Sequence, residues 1–147
     1  MKITNTREFY FKNKQIKKFV KLFDKEYMPE AIIIYEKRID LFRNLFPIGL
    51  SFFPILFGRT EGFYNINNDT ICLFVFSEND DRDDKQSFQL YALHALCHEL
   101  RHRFQYATHK VMSEEDADTF ATSFMDKYSY AIKNIMKWED EWEVEES

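Results

Sequence analysis

Apolar positions recur along this chain with two different periods, and the change of period marks its elements. From Asn13 onward, Ile16, Phe19, Val20 and Phe23 fall at helical spacing. Asn13 is the expected cap, and Lys12, Lys14, Lys17, Lys18, Lys21 and Lys25 occupy the other faces. Met28-Pro29 breaks that helix, and the β-branched run Ala31-Ile32-Ile33-Ile34-Tyr35 suits a buried strand. Gly62 to Ile66 and Thr70 to Phe76 flank the turn-forming residues Asn67-Asn68-Asp69, which predicts a β-hairpin. Leu93, Leu96, Cys97, Leu100, Phe104 and Ala107 form one continuous apolar stripe and predict a helix over about residues 85–107, with His94, His98 and His102 on the opposite side. A second helix begins at Ser113, with Asp116 three residues on in capping-box position. Ala117, Ala121 and Met125 share one side of it, and their small size lets it lie close to the first. The helical pattern continues through Tyr130, Ile132, Ile135 and Met136 to Trp138.

Strands ahead of helices predict a single α+β domain over residues 1–147. The N-terminal helix and strands fill 1–76, the histidine helix about 85–107, the next helices about 113–138, and an acidic tail 139–147. The order predicts a small antiparallel or mixed sheet packed on the histidine helix and the helix after it. Residues 39–58 give no clear period. Leu41 to Gly58 is the most apolar run, but Arg43, Asn44, Pro47 and Pro54 interrupt it, so it reads as core or cleft wall rather than a membrane span.

Composition narrows the picture. Hydrophobic residues make up 45% of the 147, with 16 Phe, which excludes a disordered chain. Cys72 and Cys97 show no CxxC spacing and suggest no disulfide framework, and Cys97, on the apolar stripe, reads as a reduced core thiol. Met1 to Glu8 has no apolar core of a secretory signal, which predicts a cytosolic protein. The lysine helix offers a basic docking surface for an acidic partner or nucleic acid. A net charge of -5 and the lack of interleaved aromatics favour a plain solvated face instead. The tail from Glu139 to Glu146 reads as a solubilising segment. Ser77 to Ser87 reads as an acidic surface loop, without the Gly or terminal Glu that a calcium loop needs.

The histidine face carries the chemistry. His98-Glu99-Leu100-Arg101-His102 is an HExxH sequence, in which two imidazoles one helical turn apart can reach one metal ion. Glu99 lies roughly 100° round the helix from His98, beside the metal, where a base can take a proton from water. Catalytic zinc usually takes three protein ligands. Glu114 can supply the third, with Asp118, one turn later, holding a ligating imidazole by its other nitrogen. Glu115 is the rival acid and His109 the other rival ligand; the cluster of acids also suits the helix dipole without any metal.

His98-Glu99-x-x-His102 followed by Glu114-x-x-Ala117-Asp118-x-Phe120-Ala121 resembles the small gluzincin-type metallopeptidases, in particular the ImmA/IrrE-like group. The resemblance covers roughly residues 60–126. It implies a zincin-like minimal metallopeptidase domain with Zn2+ held by His98, His102 and Glu114, Glu99 as general base, and Asp118 as the acid orienting a ligand. It also implies a strand beside the metal that pairs with an extended substrate, for which Ile71 to Phe76 is the expected candidate. Arg101 stands where the family often has a small residue. His109, Tyr64 and Tyr106 are candidates for the donor that stabilises the oxyanion.

The function these residues predict is zinc-dependent hydrolysis of peptide bonds in one or few intracellular protein or peptide substrates, with a regulatory role open to it. Two other classes stay open. One is a zinc-binding structural or interaction module without turnover, against which Glu99 speaks, since a purely structural site has no use for an unbound acid between its histidines. The other is a partner- or nucleic-acid-binding protein that works through the lysine helix. No membrane association is expected, and the sequence is silent on oligomeric state.

Overall fold

The computed structural model describes residues 1–37, 60–75 and 85–138. The apolar run Leu41 to Gly58, the acidic stretch from Ser77 to Asp84, Phe76 and the tail 139–147 lie outside them. The elements in order are β1 (Lys2–Thr4), α1 (Asn13–Val20), a 3-10 turn (Lys25–Tyr27), β2 (Ala31–Tyr35), β3 (Thr60–Asn65), β4 (Thr70–Val75), α2 (Lys85–Ala107), α3 (Glu114–Lys127) and α4 (Ser129–Met136). The fold is α+β, with a four-stranded mixed sheet and four α-helices among the described residues.

The sheet order is β1-β2-β4-β3. β1, β2 and β4 run parallel, and β3 pairs antiparallel with β4 through the expected hairpin, Gly62 opposite Leu73 and Tyr64 opposite Ile71. Every residue of β4 is buried, as its unalternating Ile71-Cys72-Leu73-Phe74-Val75 demands of a strand covered on both faces. This corrects the assignment of Ile71 to Phe76 as the strand open to a partner. β4 is flanked by β2 and β3, and among the described strands the edge beside the helices is β3, whose Gly62 and Asn65 mark it as the less apolar of the pair.

Ile32, Ile34, Ile71, Leu73 and Val75 join Leu93, Leu96, Cys97 and Leu100 of α2 in one core cluster, so α2 lies across the sheet on its predicted stripe. α1 adds Ile16, Phe19 and Val20 to the same cluster while its lysines stay exposed. Its cap is Lys12 rather than Asn13. The Glu8 carboxylate accepts the Asn13 N–H and the Gln15 side chain accepts the Lys12 N–H, which moves the helix start one residue back. α3 meets α2 through Ala117, Ala121 and Met125, all fully buried. The helical pattern to Trp138 breaks once, at Tyr128, and ends at Lys137 in the left-handed region. Trp138 then donates its indole N–H to Gln89, whose amide donates to the Tyr10 carbonyl.

An aromatic stack ties the helices together. Tyr27 stacks on Phe104 at 4.5 Å and on Phe120 at 5.3 Å, and Phe23 on Phe124 at 4.0 Å. Arg101 lies over Phe104 and Phe120 and donates to the Tyr27 hydroxyl and the Asp116 carboxylate. A large residue at that position is therefore a clamp between α2, α3 and the 3-10 turn. No helix among the described residues is long and apolar enough to cross a membrane. Cys72 and Cys97 are buried free thiols.

Candidate metal centre

α2 is buried on more than its stripe. Its histidine side faces a cavity of about 550 Å³, walled by Gly62, Phe63 and Tyr64 of β3 on one side and by Glu114 and Asp118 of α3 on the other. His98 and His102, one turn apart, place their rings 4.6 Å from each other at 81°, with the two Nε2 atoms 3.0 Å apart.

α3 starts where the sequence places it. The Ser113 hydroxyl accepts the Asp116 N–H at 3.1 Å, so Glu114 occupies the first helical position. Its carboxylate reaches His98 Nε2 at 2.8 Å and His102 Nε2 at 2.9 Å. Of the two rival acids, Glu114 and not Glu115 is the one that meets both rings. Asp118, the next turn along, contacts His98 Nδ1 at 2.7 Å, as expected.

His102 has an orienting partner that the motif does not name. Gln105, one turn on and almost fully buried, places Oε1 2.9 Å from His102 Nδ1. The amide cannot be the other way round. Ser113 N–H can only donate and lies 3.2 Å from Oε1, while the Ser113 carbonyl and the Asp116 carboxylate can only accept and lie 3.1 and 2.8 Å from Nε2. Asp116 stays ionised, because hydrogen bonds from Arg101 and then Gln105 hold its carboxyl below the usual range. Oε1 is therefore placed to accept a proton from His102 Nδ1, and Asp118 one from His98 Nδ1. A neutral ring held in this way presents its Nε2 lone pair to the other ring.

Two lone pairs and a carboxylate facing one point repel unless a cation or a shared proton lies among them. Two imidazole nitrogens each about 2.0–2.1 Å from one tetrahedral zinc ion lie roughly 3.3 Å apart. The observed 3.0 Å is within a few tenths of that separation. Two imidazoles and one carboxylate are also the donor types that suit zinc. His98, His102 and Glu114 thus fit a divalent metal.

Glu99 is held differently. It is buried against β3 and accepts the backbone N–H of Tyr64. Its carboxylate and the ring nitrogens of His98 and His102 all lie within 4.8 Å of one another. Burial pushes its pKa up to about 7, with His98 and His102 opposing the rise and Glu114 adding to it.

The three candidate donors do not converge on this point. Tyr64 lines the cavity, but its hydroxyl donates to Asp69 at 2.6 Å, and burial with that bond raises its pKa. Tyr106 is exposed, its ring 6.5 Å from that of Tyr64, and does not line the cavity. His109 is exposed at a left-handed turn, φ 58°, where α2 ends, which removes it both as donor and as third ligand. Their position near the motif in sequence or on the hairpin gave no information on where the side chain turns. His94, in contrast, does line the cavity, within 3.1 Å of the Thr122 hydroxyl, and burial lowers its pKa.

Sequence reasoning passed over Gln105 and Gly62. A glutamine at i+3 from a ligand on the same helix face was the available signal for the first, and a glycine inside a strand for the second. No known family model, curated protein or solved structure matches this chain.

Proposed function

We propose that this protein is a zinc-dependent peptidase with a zincin-like domain of the small gluzincin type, similar to the ImmA/IrrE-like group. The observation that carries the reading is the Glu114 carboxylate, brought by a second helix to within 2.8 and 2.9 Å of both HExxH ring nitrogens. In this reading His98, His102 and Glu114 hold Zn2+. Bound zinc supplies Lewis-acid polarisation of a carbonyl and lowers the pKa of a water to about 7.

The chain's own groups do the rest. Asp118 and Gln105 keep the two rings in the tautomer that leaves Nε2 free. Glu99 is the general base. Its carboxylate sits beside the ring nitrogens without being the nearest acid to them, and burial raises its affinity for a proton, so it can take a proton and pass it to a leaving amine. Among the described residues β3 is paired on one side only, and an extended peptide pairing with its other side would lie along the cavity. The substrate is accordingly a protein or peptide segment in extended form, and the two unpaired thiols suit a reducing compartment. A structural zinc module has no need of a buried acid in the position of Glu99. A nucleic-acid role for the α1 lysines finds no support in a chain of net charge -5.

The test is metal analysis joined to turnover of a degenerate peptide library read by mass spectrometry. Wild type is expected to bind one zinc and cleave, His102→Ala and Glu114→Ala to lose the metal, and Glu99→Gln to keep it while cleavage falls about 10²–10⁴-fold. A wild type that takes up no zinc, or a Glu99→Gln variant that cleaves at the wild-type rate, overturns the proposal.

A further inference from the structure

We infer that Gly62 is a positioning residue for Glu99: the missing side chain on the edge strand makes the space in which the base lies. The inference rests on the peptidase reading for its consequence but not for its geometry. A Cβ built on Gly62 would stand 2.6 Å from Glu99 Cγ, and 3.4 Å from both Glu99 Cδ and the Ala95 carbonyl oxygen. Real side chains do not tolerate the first of these distances. The backbone of Gly62 is not in the left-handed region, so its dihedral angles do not require glycine. Space does.

The clash cannot be relieved at little cost. Cγ is the second carbon of the Glu99 side chain, with one end fixed in the middle of α2 and the carboxylate bonded to the Tyr64 N–H on the same strand. A methyl group at position 62 has to turn the whole side chain, which takes the carboxylate off Tyr64 and out of its place beside the imidazoles. None of the three atoms nearest the built Cβ belongs to His98, His102 or Glu114, so the substitution meets the metal site only through Glu99. β3 therefore serves as the gauge that sets where the proton acceptor sits, by an N–H at residue 64 and an absence at residue 62.

A glycine kept only because a strand tolerates it predicts the opposite sign. Alanine in an unstrained strand position reduces the freedom of the unfolded chain and stabilises the fold. The experiment is a double-mutant cycle in urea, with zinc content and turnover measured alongside. Gly62→Ala is expected to lower the unfolding midpoint in the wild-type background and to leave it unchanged or raise it in a Glu99→Ala background, where Cγ is gone. The zinc-loaded Gly62→Ala protein is expected to hold wild-type zinc and to turn over the best peptide of the library at least about tenfold more slowly in kcat, with KM unchanged. Equal cost of Gly62→Ala in both backgrounds, or wild-type kcat, overturns the inference. The stability cycle reads the contact with no hydrolysis required, so an inactive wild type would remove the peptidase reading while the cycle still decides whether position 62 holds Glu99.

Discussion

Glu99 and Glu114 approach one pair of imidazoles from two different elements, and the molecule treats the two carboxylates differently. Glu99 is 8% exposed, packed under β3 and bonded to a backbone N–H, whereas the Glu114 side chain is 78% exposed at the first turn of α3. The same functional group therefore sits in two settings. Burial pushes Glu99 up to about 7, beside an acid that lies open to water. Pairs of carboxylates whose surroundings separate them in this way divide the work between proton transfer and holding charge. In the proposed reading the two acids take their roles from their settings: Glu114, exposed, would hold a cation, and Glu99, buried, would take a proton.

The largest consequence is a pH dependence of stability in the metal-free protein. A carboxyl whose folded-state pKa is raised binds its proton more tightly when folded. It carries no penalty below its unfolded value of 4.5 and an increasing one as pH rises through about 7. Metal-free wild type should therefore lose stability relative to Glu99→Gln between those values, by about 3 kcal/mol at most. Urea unfolding in a chelator at pH 4.5, 6 and 8 measures it. If Glu99→Gln shifts stability equally at all three, burial does not raise the Glu99 carboxyl.

A smaller effect separates the two groups that hold the rings. Asp118 and Gln105 each fix one histidine tautomer, and loss of such a partner typically weakens metal binding 10–100-fold. Their settings again differ. Gln105 is 1% exposed and also bonds Ser113 and Asp116; Gln105→Ala removes the partner of the buried His102 Nδ1 and of the part-buried Ser113 N–H, while Asp116 keeps Arg101. The substitution should cost about 1–3 kcal/mol of stability in addition to metal affinity. Asp118 is exposed, and Asp118→Ala should weaken zinc binding with little change in the unfolding midpoint. Zinc titration and thermal unfolding of both variants separate the two effects. Equal loss of stability would show that burial is not what distinguishes them.

How much of this was legible in the sequence follows from what kind of information each feature needs. The HExxH pair, the Ser113 cap and the Ala117–Ala121 contact are local periodicities, and they stand where the sequence put them. The choice of Glu114 over Glu115 depends on the direction from which α3 approaches α2, which spacing within α3 does not contain. The exchange of β3 for β4 as the edge had the same origin: both read as strands of one hairpin, and only the parallel pairing of β4 with β2 decides which is interior. The unalternating β4 was the overlooked signal. Gln105 and Gly62 act through single contacts, one added and one avoided, and such contacts leave no period to read.

The finest probe of the buried side is a thiol. Cys72 lies on β4, opposite Phe63, and its pKa is pushed up to about 12, first by burial and then by the charge of Glu99. At pH 8 it should react with iodoacetamide orders of magnitude more slowly than an exposed cysteine, because the thiolate is the reactive form. Glu99→Gln removes the second cause and leaves the first. The expected result is a modest acceleration, less than about tenfold, since one pKa unit is the most that a secondary charge effect should contribute here. Glu114→Gln should leave the rate unchanged, because burial and the charge of Glu99 are what raise this thiol. Alkylation in urea-free buffer, followed by mass spectrometry of the Cys72 and Cys97 peptides, measures it. Cys97 is the internal control, as burial alone raises it and the Glu99 charge does not enter. If both thiols accelerate together in Glu99→Gln, the substitution has loosened the fold. If Cys72 alone accelerates, the charge of Glu99 is confined to the β3–β4 side of the site.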